Sequence, residues 1–189
     1  MQTLLETDKK EIGVGTMSFY VLDENPVRSA NAMCWLDCES AAFDGARIIV
    51  SAIKMNGENI DDIPFEPHDG HPLVKWALVS NDNARWLYRN TRAATIKWGK
   101  EHKMKGYEEL MKMLNKVASV IDTRLPQGQT SLFGNFYVEA QEALVSEFSN
   151  PTKTNELPTI ESNLVYYERT RKHLMWGDNK PELYGEEEE

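Results

Sequence analysis

The stretch Ser80-Asn-Asp-Asn-Ala-Arg85-Trp-Leu-Tyr-Arg89-Asn-Thr-Arg92-Ala-Ala-Thr-Ile-Lys97-Trp-Gly-Lys100-Glu-His102-Lys103 decides the fold. It holds no proline and a single glycine, so nothing in it stops a helix early. Asn81 or Asp82 is a capping residue, and the expected helix runs from about Asp82 to His102. Arg85, Arg89 and Arg92 follow i, i+4, i+7 spacing and share one face. Trp86 points about 100° away from that face, toward a core, because each helical residue advances by 1/3.6 of a turn.

Outward from this segment, helix signals dominate. On the C-terminal side, Glu108 to Ile121 is amphipathic, with Leu110, Met113, Leu114, Val117 and Ile121 on one stripe. Leu125 to Thr130 reads as a Pro/Gly turn, Phe133 to Phe148 as an apolar segment, and Ser149 to Pro158 as a loop. A last helix is expected over about Thr159 to Trp176, with Gly177 as its stop. On the N-terminal side, His71 to Val79 begins a helix, and residues 56–70, with Gly57, Pro64, Pro67 and Gly70 among acids, form a loop. Ala41 to Met55 has near-helical apolar spacing, although its Val and Ile content leaves a strand open for the middle. Asn25 and Pro26 start a helix expected to reach Asp37. Ser18 to Leu22 is a short strand or an extended entry.

The fold expectation is therefore all-α, or mostly α, in one helical domain over residues 17–184. A polar extension (residues 1–16) and an acidic tail (residues 185–189) flank it. No repeat recurs at a solenoid period. At 189 residues the chain can bury a core without a disulfide or metal staple. The mean hydropathy of -0.54, with 27% charged residues, excludes a collagen or coiled-coil rod and bulk disorder. No apolar run approaches 18 residues, so no membrane partner is expected. The opening Met1 to Lys10 lacks the order of a signal peptide, which makes the cytoplasm the expected location. Cys34 and Cys38, four apart, are expected as buried or half-buried thiols.

Charge is unevenly spread. The net charge of -9 divides into -8 over residues 1–70, +6 over 75–125 and -7 over 126–189. The basic middle includes Arg85, Arg89, Arg92, Lys97, Lys100 and Lys103. Basic residues interleaved with Trp86 and Trp98 suit phosphate contact with base stacking. A solvated helix face paired with the acidic ends, over Trp residues sealed in a core, fits the same pattern. His71 and His102 are candidates for proton transfer or orientation, and Asp37 and Asp44 for general-base work. His71 equally suits a helix cap or a satisfied core histidine. No phosphate loop, dinucleotide fingerprint, H-E-x-x-H helix or nucleophile elbow is present, so no metal and no cofactor is expected.

The ordered set Phe19-Tyr-Val-Leu-Asp-Glu-Asn-Pro26, Gly70-His-Pro72 with Trp76, Ser80, Asn83, Trp86-Leu87, Trp98-Gly-Lys-Glu-His102-Lys103, Gly128-Gln-Thr-Ser-Leu-Phe133, and Tyr166-Tyr167, Lys172, Trp176 and Pro181-Glu182 resembles an uncharacterised bacteriophage protein family. That family in turn resembles, at a distance, the pyrimidine-dimer DNA glycosylases of the endonuclease V type. The match covers about residues 17–184. It implies a helical glycosylase-like fold, DNA as partner and the cytoplasm of an infected bacterium as location. By this resemblance the chain reads as a divergent member. A helix carrying Lys and His in the family reads Cys34-Trp-Leu-Asp37-Cys-Glu-Ser-Ala-Ala-Phe-Asp44 here, and a family Tyr becomes Ala84. Two expectations follow. One is a phage-type DNA-directed protein that binds DNA through the basic central helix, with no assignable reaction. The other is a catalytically inactive relative that binds a host or phage protein, as an accessory, inhibitor or virion component.

Overall fold

In a computed structural model, residues 21–58, 60, 70–102, 106–129, 160, 164 and 167 are described. Among them are five helices and no strand: α1 (Pro26–Ala32), α2 (Trp35–Met55), α3 (Pro72–Val79), α4 (Asn81–His102) and α5 (Tyr107–Arg124). The fold is all-α. Val21 and Leu22 are buried but not in a strand. Residues 1–16, the segment from Phe133 to Phe148, the following loop and the acidic tail lie outside the described residues. Of the expected last helix, Ile160, Leu164 and Tyr167 are described, and all three are helical.

Local hydrogen bonds set most of the ends. Asn25 Oδ1 accepts the N–H groups of Val27 and Arg28 at 3.0 and 3.1 Å, and Pro26 follows at the first helical position. Past Met55, Gly57 takes φ +87, Gly57 N–H donates to Lys54 O and Glu58 N–H donates to Ile53 O. This is a Schellman stop, which requires the left-handed conformation that glycine adopts without strain. The start of α4 corrects the sequence expectation. Neither Asn81 nor Asp82 caps it. Ser80 does, its Oγ accepting the Asn83 N–H at 3.2 Å. The Asn81 side chain instead donates to Gln127 Oε1 at 3.0 Å, and Asn81 N–H donates to Pro126 O at 2.7 Å. These bonds clasp the turn after α5 to the α3–α4 corner.

Two further expectations are corrected. The single helix over Pro26 to Asp37 is two helices, broken at Met33 and Cys34, both of extended backbone. No Gly or Pro marks this break. The ammonium of Lys97, on α4, donates to Asn31 O at 2.9 Å and Met33 O at 2.6 Å. The Cys34 N–H donates to the Tyr167 hydroxyl at 2.5 Å. Backbone groups that an unbroken helix would pair internally are paired by distant side chains. The strand left open within Ala41 to Met55 is α-helical throughout. Ile48 to Ile53 is one buried run. A helix packed on several sides loses its polar stripe, and its Val and Ile content then resembles that of a strand.

Helix α4 is the hub, packed by α1, α2, α3 and α5. Trp76, Trp86 and Trp98 all point into the core. Trp98 meets Phe43 edge-on at 5.2 Å, and Trp76 meets Trp86 edge-on at 6.1 Å, arrangements that ring quadrupoles favour. Trp86 Nε1 donates to Glu24 O at 2.6 Å and Asn90 Nδ2 to Pro26 O at 3.0 Å, which fastens the start of α1 along α4. At Gly99 a Cβ would collide with the Tyr107 ring, so a larger residue there would force that ring to move.

Candidate nucleic-acid interface

The core claims one side of α4, and the other carries the basic stripe. An open groove of about 770 Å³ runs along that outer face. Its floor is α4 itself, with Tyr88, Arg92 and Ile96 at i, i+4, i+8 beside Arg89, Ala93 and Lys97 in the same register. Val27 and Asn31 of α1 form one wall and Asn115 of α5 the other. Among the described lining residues there are three cations and no carboxylate.

The cations differ in what holds them. Arg89 and Arg92 are exposed, and neither makes a hydrogen bond or ion pair among the described residues. Lys97 is half-buried, and its ammonium is bound to the last carbonyls of α1, where the helix dipole also favours a cation. Arg85 shares their face by spacing but does not line the groove. Its Nε sits 2.6 Å from Asp122 Oδ1 and its Nη1 2.7 Å from Asp82 Oδ1. Those bonds, to Asp122 first and then Asp82, raise its pKa above the ordinary arginine value. A guanidinium chelated by two carboxylates has little left to offer a phosphate. Lys100 and His102 fall at the end of α4, but their side chains, and all of Lys103, lie outside the described residues.

The described acid–base candidates, His71, Asp37 and Asp44, do not converge on the groove. His71 is buried at the head of α3, where its Nδ1 accepts the Leu73 N–H at 3.2 Å, the capping role that sequence left open beside catalysis. Asp44 pairs with Arg47 at 3.7 Å along α2. Asp37 is buried in the first turn of α2, and its Oδ2 lies 3.2 Å from the Cys34 sulfur, which donates to it. With Tyr167 these residues form a buried polar knot at the α1–α2 junction. Burial, more than the nearby Asp37 charge, pushes the Cys34 thiol above its ordinary value. Burial first, and then the Asp37 charge, pushes the Tyr167 phenol far above its own. Both groups are therefore held protonated, which makes Cys34 a poor nucleophile. Cys34 and Cys38 are buried thiols outside any disulfide, as expected. Among the described residues no cluster of His, Cys, Asp or Glu could hold a metal, and no helix is long and apolar enough to cross a membrane.

The structure thus brings together Arg89, Arg92 and Lys97, and it withdraws Arg85 and the Trp side chains from the expected interface. Trp98, read beside Lys97 and Lys100 as a stacking platform, has no exposed surface. Sequence reading missed Tyr88, Ile96, Asn31 and Asn115. The i+4 spacing from Tyr88 to Arg92 was a usable signal for the first two. Nothing local marks the two asparagines, because they come from helices that only the fold sets beside α4. In comparisons with family models, curated proteins and solved structures, none matches the chain.

Proposed function

We propose that this chain is a phage-type DNA-directed protein that binds nucleic acid backbone through the outer face of α4, with Arg89 and Arg92 as the phosphate contacts. One observation carries this reading: two exposed guanidinium groups, three residues apart, stand on an open groove whose described lining holds no carboxylate. Guanidinium forks suit phosphate oxygens. The local charge counts for more than the acidic total, because at physiological salt a charge more than about 8 Å away is largely screened. The resemblance to a phage family with glycosylase-like relatives agrees with a DNA partner. No reaction is assigned. Asp37, Asp44 and His71 each serve a structural contact away from the groove.

Fluorescence anisotropy at two salt concentrations tests the reading, with plain duplex, ultraviolet-irradiated duplex and single strand as probes. Binding should weaken with salt, and Arg89→Ala and Arg92→Ala should each lower the salt slope by about 1. An unchanged slope in both variants removes the assignment. A preference for irradiated duplex would point to glycosylase chemistry and call for borohydride trapping.

A second reading, a catalytically inactive relative that binds a host or phage protein, has its own support in Met55 and Val79, which are 56% and 58% exposed at the ends of α2 and α3. A pull-down that returns no stoichiometric partner would count against it.

A further inference from the structure

The groove is more than a row of charges. Backbone phosphates need cations and nothing apolar, yet Ile96 and Ala93 lie on the α4 floor and Val27, 46% exposed, lies on the α1 wall. Tyr88 is set into that floor, half-buried, with one part against the core and another lining the groove. Trp76, Trp86 and Trp98 are sealed inside, and the half-buried Trp35 does not line the groove. Asn31 and Asn115 bring an amide to each wall, and an amide offers both donor and acceptor to the edge of a base.

A double helix cannot use such a floor. Its base faces are stacked on one another and its base edges are paired, so it meets a protein with phosphate, sugar and groove edges. A single strand carries the same phosphates and also free base faces and free pairing edges. The volume, about 770 Å³, falls within the range of sites that enclose a small-molecule-sized group.

We infer that the groove takes a single-stranded nucleic acid, with a base laid on the apolar part of the floor against Tyr88, its edge within reach of Asn31 or Asn115, and the flanking phosphates on Arg89 and Arg92. This rests on the proposed nucleic-acid function and narrows it. DNA and RNA strands share the chemistry, and the probes separate them.

The test measures anisotropy of the full chain with a labelled thymidine 15-mer, a uridine 15-mer and a 15-base-pair duplex, for the parent protein and for Tyr88→Ala, Tyr88→Phe and Arg92→Ala. Single strands should bind at least tenfold more tightly than duplex. Tyr88→Ala should weaken single-strand binding about tenfold, the low end of what one lost base stack costs, and leave duplex binding where it was. Tyr88→Phe keeps the ring and should keep the affinity, which separates loss of stacking from loss of folding. Arg92→Ala should weaken all three probes alike. A better uridine than thymidine probe would name RNA as the source of the strand, and the reverse would name DNA. Equal binding of duplex and single strand, or no selective loss in Tyr88→Ala, overturns the inference. If Arg92→Ala still lowers the salt slope in that event, the phosphate-binding reading stands without it. If no probe binds at low salt, both fall.

Discussion

Two polar regions of this molecule, the α1–α2 junction and the outer face of α4, are built on opposite rules. At the junction, Cys34, Asp37 and Tyr167 are buried, and Cys34 is hydrogen-bonded to both of the others. On α4, Arg89 and Arg92 stand in solvent with no described partner. A buried polar group without a partner costs stability, so such groups pair. An exposed cation without a partner costs almost nothing and remains available. Lys97 sits at the meeting point of the two regions. It lines the groove, yet its protons go to the carbonyls that end α1. Residue type and spacing make these cations look alike. The partner each one finds separates structure from recognition.

That contrast can be broken most forcefully at Tyr167. Tyr167→Ala empties a fully buried aromatic site and removes the acceptor of the Cys34 N–H, and urea denaturation should report a loss of about 3–5 kcal/mol. Tyr167→Phe keeps the ring and should lose about 1–3 kcal/mol, the cost of one buried donor left unmade. If Tyr167→Phe matched the parent protein, the junction would not depend on that bond. Next comes Lys97→Met, which keeps the stem and removes the charge. It should cost about 1.5–3 kcal/mol, the scale of hydrogen bonds made by a charged group. A fall in nucleic-acid affinity with unchanged stability would move Lys97 to the other side of the comparison.

A pH titration sharpens the junction further. The folded pKa of Cys34 is raised, so the folded state holds its proton after the unfolded chain has lost it. The unfolded state then binds fewer protons, and stability falls as pH rises. The contribution is complete below the ordinary thiol value of 9.0 and drains away above it. Tyr167 adds to the same slope from its ordinary value of 10.0 upward. Denaturation midpoints of the parent protein should therefore decline from about pH 9. Those of Cys34→Ala should decline less steeply between about pH 9 and pH 10. Parallel curves would show that the thiol contributes nothing to the alkaline limb.

The smallest effect on stability belongs to the groove. Arg89→Ala and Arg92→Ala should each change it by no more than about 0.5 kcal/mol, as surface substitutions away from special features do, while lowering the salt slope of binding. A large stability loss in either would mean that these guanidinium groups hold the fold.

Much of the fold was legible because its signals are local. The apolar stripe from Leu110 to Ile121 is the buried face of α5, and the Asn25–Pro26 start is realised atom by atom. Helix periodicity and capping act within four residues, so a linear reading reaches them. The candidate site was legible in part. The Arg85, Arg89, Arg92 stripe is on one face as spacing demands. Which members of it are free was not legible, since Arg85 is occupied by Asp122, 37 residues away.

By itself, the sequence determined an all-α chain, the approximate span of its helices, the inward turn of Trp86 and a basic outer face on α4. Tertiary structure alone decided the break at Met33 and Cys34, the withdrawal of Trp98 from the surface, the occupation of Arg85 and Lys97, and the walls that turn a charged stripe into a groove. The physical reason is the reach of the interactions. Lys97 meets Met33 across 64 residues and Tyr167 meets Cys34 across 133. Contacts of that separation exist only after the helices have packed, and they then override the local preference that would have run one helix from Pro26 to Asp37.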